Sequence, residues 1–327
     1  MMAWPTPQGT TLEEAHLALH SCMRGDVRLN ADLGSHTTWK VGGPADLLLI
    51  PADEKDLAAA LQVLAEFGVS WVVLGKGSNT LVSDGGYRGA VIRLDAGFEE
   101  IHHQENALGD GRHLLVAGGG ASINALLRYV VVHRLAGVEM LTGIPGTVGG
   151  TVRMNGGTHL GEFSDALHGV RLMERDGTVV EHPAERFAFG YRSSAIQSDQ
   201  IVCEAHIAVN TAVDDSFART IREVKERRRE TQPLTQPSGG STFANPEGDK
   251  AWRLLEAAGL RGEVEGGARY SDVHANFIVN DGEATATDIE TLIRRGKERV
   301  EGISGIVLRE EVCRLDPEGW AHDKEGE

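Results

Sequence analysis

Apolar runs of strand length alternate along most of this chain with segments whose apolar residues recur every three or four positions. A short amphipathic helix is predicted near Leu12 to Met23, capped by Thr10 or Thr11, behind a loose first dozen residues. TTWKVGGPADLLLIP then runs into a strand, and a helix begins about Asp53 with Leu57, Ala60, Leu61 and Leu64 on one face. Further strands end at Leu74 and span about Ala90 to Leu94. The middle repeats the alternation: HLLVAGGG reads as a strand, ASINALLRYVVVHRLAG as a helix, VRLMERDGTVVEHP as a hairpin turning at Asp176-Gly177, and QIVCEAHIAV as another strand. From Ser216 a separate small domain is predicted. It has a strongly charged helix through SFARTIREVKERRRETQP, helices at Asp249 to Leu260 and Thr287 to Glu301, and a final strand through GIVLREEVCRL. The tail after Pro317 is polar and reads as disordered.

Length adds that 327 residues suffice for a buried core and about two domains, or three small ones. Glycine is the unusual component: 41 residues, against a common share of about 7%, point to many tight loops, where function concentrates. A formal charge of −16 opposes binding to nucleic acid or anionic lipid over most of the surface. Cys22, Cys203 and Cys313 form no C-x-x-C pair, so neither a disulfide framework nor a zinc knuckle is indicated. His16 and His20 stand at i, i+4 without further ligands nearby, and no metal is expected. With no basic, apolar leader and no run of about 18 apolar residues, the expectation is a soluble cytoplasmic protein.

Two glycine-rich stretches carry the candidate chemistry. LTGIPGTVGGTVRMN, Leu141 to Asn155, offers backbone N–H groups rather than side chains, with Gly146 to Gly150 able to curl into an anion-binding nest; a ligand-free turn is the alternative. Gly75, Gly77, Ser78 and Asn79 follow a hydrophobic strand, so their N–H groups and the Ser78 hydroxyl could converge on a pyrophosphate. The nicotinamide-type dinucleotide fold is rejected. It needs a third glycine and an immediate long helix, where this chain has Leu81-Val82-Ser83-Asp84-Gly85-Gly86.

GGPA at 42 to 45, GKGSN at 75 to 79, GIPGTVGG at 143 to 150, GYRSS at 190 to 194, GGSTFANP at 239 to 246, HANFIVN at 274 to 280 and LREEV at 308 to 312 occur in one order. Together, over Asp32 to Leu315, they resemble the UDP-N-acetylenolpyruvoylglucosamine reductase (UDP-N-acetylmuramate dehydrogenase) family of peptidoglycan precursor synthesis. The resemblance implies an α+β protein: a two-subdomain FAD-binding fold of the vanillyl-alcohol-oxidase type plus a small C-terminal α+β substrate domain. The implied division is an N-terminal arm and helix at 1–30, FAD-binding subdomains at 31–95 and 96–214, a substrate-binding domain at 215–317 and a polar tail at 318–327. It further implies non-covalent FAD, its pyrophosphate held by Gly75, Lys76, Gly77, Ser78, Asn79 and Thr80. Gly143, Ile144, Pro145, Gly146, Gly149 and Gly150 would border the flavin. In the implied reaction NADPH reduces the flavin at N5, and hydride then passes to the enolpyruvyl β-carbon, leaving enolate charge and an α-carbon to protonate.

By the same resemblance Arg192 would stabilise that enolate, as a permanently charged guanidinium fork can. Ser241 matches the proton donor and Glu311 the family glutamate, a hydrogen-bonding partner for the enolate. Glu310, its neighbour on a predicted strand, would face solvent. Tyr191, Asn245 and Asn276 match positions lining the sugar-nucleotide pocket; for Asn276 a plain turn or strand-end role is the alternative. Thr231 and Ala244 stand where related sequences usually carry a cation, with Arg227 to Arg229 and Arg253 as candidate replacements; Arg153 has no assigned role. The segment between Arg192 and Ser241 resembles the shorter type of the family, which lacks an extra tyrosine-bearing loop. Rival readings are a flavin oxidase of a small hydroxy acid on the same fold, or a non-catalytic UDP-sugar or flavin binder.

Overall fold

The computed structural model describes residues 12–321. The proposed helix caps Thr10 and Thr11 and the last six residues lie outside them. Contacts group the chain into two compact units built from interleaved segments. The first comprises the chain before Asn30 with Asp46–Gly75 and Gly89–Glu226; the second comprises Asn30–Ala45, Lys76–Arg88 and the chain from Arg227 onward.

The first unit holds two large sheets and a two-stranded one, in which Gly157–Thr158 pairs with Gly161–Glu162. In the four-stranded one, strands run in the order Asp26–Asp32, Pro44–Ile50, Tyr87–Ile92, Trp71–Val73, with the last two parallel. Helix Glu54–Glu66 buries Leu57, Ala60, Leu61 and Leu64 at the predicted spacing, and Asp53 caps it through the Asp56 N–H at 3.0 Å. It packs with helix Leu12–Cys22 and strand residues Leu47, Leu49 and Ile92 in one core. Each leucine fully withdrawn from water there contributes roughly 1.5–3 kcal/mol. Strand Asp26–Asp32, buried at only two of seven positions, was not foreseen.

The second sheet is antiparallel, in the order Val179–Pro183, Leu167–Met173, Ile201–Thr211, His113–Gly118, Ile101–Gln104, with Leu135–Ala136 paired to the far end of the long strand. The predicted hairpin turns where expected: Gly177 has φ +84° and its N–H donates to Glu174 O at 2.9 Å. Helices Ile123–Val132 and Val148–Arg153 bury Ile123, Leu126, Leu127, Val130, Val148 and Val152 against this sheet.

The second unit has its own core of Trp39, Phe243, Leu255, Tyr270, Ile289, Leu292, Ile293 and Val300. Helix Ala286–Ser304 starts at a Thr285/Asp288 capping box and stops at Gly305, whose φ of +72° favours glycine. The Trp39 ring N–H donates to Ile278 O at 2.8 Å, and a Cβ at Gly239 would fall 2.3 Å from the indole. Gly319–Trp320 pairs with Leu315–Asp316, so the expected polar tail begins with a paired strand; residues 322–327 of it lie outside the described ones. The predicted final strand is shorter, Cys313–Asp316, and runs parallel to Thr80–Val82. Among the described residues no helix is long and apolar enough to cross a membrane.

Candidate active site

The strand Trp71–Val73 ends in the first glycine loop, Gly75 to Thr80. The N–H groups of Gly75, Lys76, Gly77 and Asn79 donate to nothing among the described residues. Main-chain donors are normally spent, so four unspent ones in five residues make a ready anion cradle. Gly77 takes φ +59°, and a Cβ there would stand 2.6 Å from His36 O and 2.7 Å from Thr37 Cα. The Thr38 N–H binds Gly77 O at 3.2 Å and the Thr38 hydroxyl binds Ser238 O at 2.7 Å, fixing the loop beside the segment that leads to Ser241.

The second loop differs from the expected nest. Thr147 caps helix Val148–Arg153 by accepting the Gly150 N–H at 3.2 Å, while Val148 and Gly149 donate to Ala121 O and Gly119 O, each at 2.8 Å. The donors of Val148 to Gly150 are therefore already used. Gly149 is needed for packing: its Cβ would lie 3.1 Å from Gly119 O and 3.2 Å from Val202 O. Only Gly146 and Thr147 keep unspent N–H groups there among the described residues. The two loops approach each other, since a Cβ on Gly75 would lie 2.8 Å from Thr147 Oγ1. Unspent main-chain N–H groups of this kind suit an anion such as a phosphate.

Arg192 belongs to the first unit. Gly190 and Ser193 exchange both backbone hydrogen bonds, at 3.0 and 3.1 Å, leaving Tyr191 and Arg192 as the tip of a tight turn. Arg192 takes φ +56°, a conformation that costs a non-glycine residue free energy and recurs at functional sites. Its Nη2 donates to Gly157 O at 2.9 Å, and its guanidinium carbon lies 5.0 Å from the Tyr191 ring centroid. Tyr191 is exposed and Arg192 half-buried. The turn is tied to the glycine-loop helix from below. Buried Asn155 donates to Gly190 O at 3.0 Å and Glu162 Oε2 at 2.7 Å and accepts the Ser164 N–H at 3.0 Å. Arg153 donates to Gln197 O at 2.6 Å, and its own carbonyl accepts the Ser194 hydroxyl at 2.6 Å. The residue without an assigned role thus anchors the segment that follows Arg192.

Ser241 and Glu311 both belong to the second unit, which brings them together on a ladder three residues long. Ala244 N–H donates to Arg309 O and Glu311 N–H to Thr242 O, each at 2.9 Å, with Phe243 opposite Glu310. Asn79, at the end of the first glycine loop, donates from Nδ2 to Glu311 O at 2.9 Å and accepts the Cys313 N–H at 2.9 Å. The first glycine loop and Glu311 are therefore neighbours. Ser241 and Glu311 are half-buried, and nothing among the described residues bonds the Ser241 hydroxyl.

Glu310 does not face solvent. Its side chain is 19% exposed, with Oε1 3.2 Å from Lys297 Nζ and Oε2 2.8 Å from Arg314 Nε. Asn245 is exposed, and its Oδ1 accepts the Ala251 N–H at 3.1 Å, at the start of helix Ala251–Ala257. Asn276 is buried, with its amide on the Phe243 main chain. Of the candidate replacement cations, Arg228 alone turns inward. Burial pulls its guanidinium below the usual arginine range, and its Nε donates to Gln232 Oε1 at 2.9 Å. Arg253 is an exposed partner of Asp249 at 3.9 Å.

Residues 45–182 of this α+β scaffold match the FAD binding domain, which makes the chain a flavin-binding oxidoreductase. Residues 232–315 match the UDP-N-acetylenolpyruvoylglucosamine reductase C-terminal domain. The chain belongs to the UDP-N-acetylenolpyruvoylglucosamine reductase family. It is 41% identical over 294 residues to the enzyme of that name from Syntrophotalea carbinolica, covering 90% of this chain and 96% of the relative. It is 43% identical over 304 residues to that of Anaeromyxobacter sp. strain Fw109-5, covering 93% of each. The crystal structure of the reductase from Thermus caldophilus superposes with a TM-score of 0.75 at 34% identity, over 89% of this chain and 99% of that one.

Proposed function

We propose that this chain catalyses the NADPH-dependent reduction of UDP-N-acetylenolpyruvoylglucosamine to UDP-N-acetylmuramate in peptidoglycan precursor synthesis, with non-covalent FAD as its cofactor and the cytoplasm as its location. FAD, when bound, supplies a two-electron carrier between the nicotinamide and the enolpyruvyl double bond. Its pyrophosphate would be held by the N–H groups of Gly75 to Asn79, with the Leu141 to Thr147 loop beside the flavin. The observation that carries the reading is the Thr242–Ala244/Arg309–Glu311 ladder, which joins Ser241, Glu311 and the Asn79 end of the cofactor loop in one constellation.

Each residue has a distinct task. The Arg192 guanidinium holds the substrate carboxylate and stays charged as enolate character develops. The Ser241 hydroxyl delivers the proton to the α-carbon, and Glu311 hydrogen-bonds the developing charge. Residues 215–317 receive the sugar nucleotide, with Tyr191 and the exposed Asn245 as contacts and Arg228 as the cation for its phosphates.

The test is an anaerobic titration of the purified, flavin-loaded protein. NADPH should bleach the flavin band, and only UDP-N-acetylenolpyruvoylglucosamine should restore it. A protein unable to take up FAD would overturn the reading of both glycine loops. A flavin that bleaches and is reoxidised by no enolpyruvyl substrate would sink the substrate assignment.

A further inference from the structure

We infer that Asn276 is a positioning residue that sets the Ser241 turn against Glu311, and that it makes no contact with the sugar nucleotide; this role rests on the reaction proposed above. In an antiparallel pair, every second residue turns its N–H and C=O away from the partner strand. On the ladder, Thr242 O accepts the Glu311 N–H and the Ala244 N–H donates to Arg309 O, while the N–H and C=O of Phe243, which lies opposite Glu310, turn away from that partner strand. The Asn276 side chain meets both: Nδ2 donates to Phe243 O at 2.8 Å and Oδ1 accepts the Phe243 N–H at 3.0 Å. Its own carbonyl accepts the Thr242 N–H at 2.8 Å. A primary amide carries a donor and an acceptor at peptide spacing, so this one residue substitutes for a missing edge strand along Thr242 and Phe243. Asn276 is 4% exposed, which leaves its amide no open side for a soluble ligand.

The opposite edge is closed by side chain and main chain together. There Asn79 Nδ2 donates to Glu311 O and the Asn79 main-chain carbonyl accepts the Cys313 N–H. Asparagines thus bracket a ladder too short to hold its own register, with Ser241 immediately before one strand and Glu311 on the other. The Ser241 hydroxyl has no anchor of its own among the described residues, so the position from which it can deliver a proton depends on where the bonded main chain of Thr242 and Phe243 holds the residue.

The role is tested in the full-length, FAD-loaded protein with N276D and N276L, measuring the two half-reactions separately by stopped flow. Asp keeps size and acceptor but sets a carboxylate oxygen against Phe243 O; Leu removes both bonds. Ser241 acts only in the second half, so flavin content and bleaching by NADPH should stay within about twofold of wild type. Reoxidation at saturating substrate should slow by about tenfold to a hundredfold, the cost of a small misplacement of a reacting group, with KM moving by less than about threefold. The solvent deuterium effect on that step should grow as protonation becomes limiting. A rise in KM with an unchanged saturating rate would make Asn276 a substrate contact and overturn the inference. Loss of flavin or of fold in both variants would overturn it too, as a merely structural role. A wild-type flavin that the substrate does not reoxidise would remove the reaction itself, a failure visible before any variant is made.

Discussion

Gly77 shows how one residue's backbone carries the chemistry. Its φ of +59° lies in the left-handed region, and a side chain would strike His36 O and Thr37 Cα, both main-chain atoms that cannot rotate aside. The loop must move outward to accommodate alanine, and the unspent N–H groups of Gly75, Lys76 and Asn79 then no longer converge. Left-handed strain alone is worth roughly 1–2 kcal/mol, so G77A should weaken FAD retention by about tenfold or more. The flavin-to-protein absorbance ratio after gel filtration reads this directly, and full retention would show that the loop does not hold the cofactor. At this scale a motif is what makes a residue legible: Gly75, Gly77, Arg192, Ser241 and Glu311 all stand at motif positions, and the structure brings Ser241 and Glu311 onto one ladder. Glu310 was misread because alternation along a strand fixes which face a side chain takes but not what covers that face. Lys297 and Arg314, from other elements, supply the cover. Asn276 was ambiguous for the same reason, since its partner Phe243 lies 33 residues away.

At the scale of elements, helix Ala286–Ser304 depends on a carboxylate that its own sequence does not contain. Asp84 accepts hydrogen bonds from the Ala286 N–H at 2.8 Å, the Thr287 N–H at 3.0 Å and the Thr287 hydroxyl at 2.6 Å. Burial alone would raise its carboxyl, but these bonds outweigh it and hold the group below the usual carboxylate range. D84A should cost about 1 kcal/mol near neutral pH, the ordinary loss of a helix-cap side chain. A depressed carboxyl stabilises the fold above its unfolded pKa and ceases to do so as pH falls through the folded one. The gap between wild type and D84A in urea midpoint should therefore close in acid; a gap independent of pH would refute the assignment.

The segment before strand Ile278–Asn280 responds to pH with a different group. Burial first, and nearby Arg261 second, hold the His274 imidazole below its ordinary value, and its Nδ1 accepts the Asn276 N–H at 3.2 Å, which requires the neutral ring. The unfolded chain takes up a proton near pH 6.5 while the folded one resists. Stability from this residue is thus present above about pH 6.5 and is lost as pH falls toward the folded value. Urea unfolding at about pH 7.5 and about pH 5.5 should show a larger drop for wild type than for H274Q, and equal drops would exclude the effect. Periodicity revealed the helices at either side of this segment, because each repeats a buried face. The pairing of Thr242–Ala244 with Arg309–Glu311 was hidden, because a three-residue ladder carries no period to detect.

Across the whole molecule, the interleaving of the compact units is what a linear reading could not supply. Residues 30–45 and 76–88 belong by contact with the C-terminal residues, and the change from one unit to the other falls between Gly75 and Lys76, inside the first glycine loop. Hydrophobic patterning identifies strands and helices wherever they occur, but carries nothing about which non-adjacent segments share a core. Trp39 and Leu81 join the core of Tyr270 and Ile293 through contacts far apart in the chain. This arrangement makes a prediction about stability. Among the described residues the N–H groups of Gly75, Lys76, Gly77 and Asn79 meet no protein acceptor, so without cofactor they contribute nothing to folding, and with it they become charge-assisted bonds available only to the native chain. A ligand that binds only the folded state stabilises it by RT ln(1 + [L]/Kd), about 2.7 kcal/mol at a hundredfold excess over Kd. Tm should therefore rise continuously with FAD concentration, and G77A should follow the same curve displaced to higher FAD. FMN, which lacks the pyrophosphate bridge, should give a smaller rise. Equal rises with FMN and FAD would place the binding energy in the flavin ring and its Leu141 to Thr147 border, leaving the Gly75 to Asn79 loop without the role assigned to it.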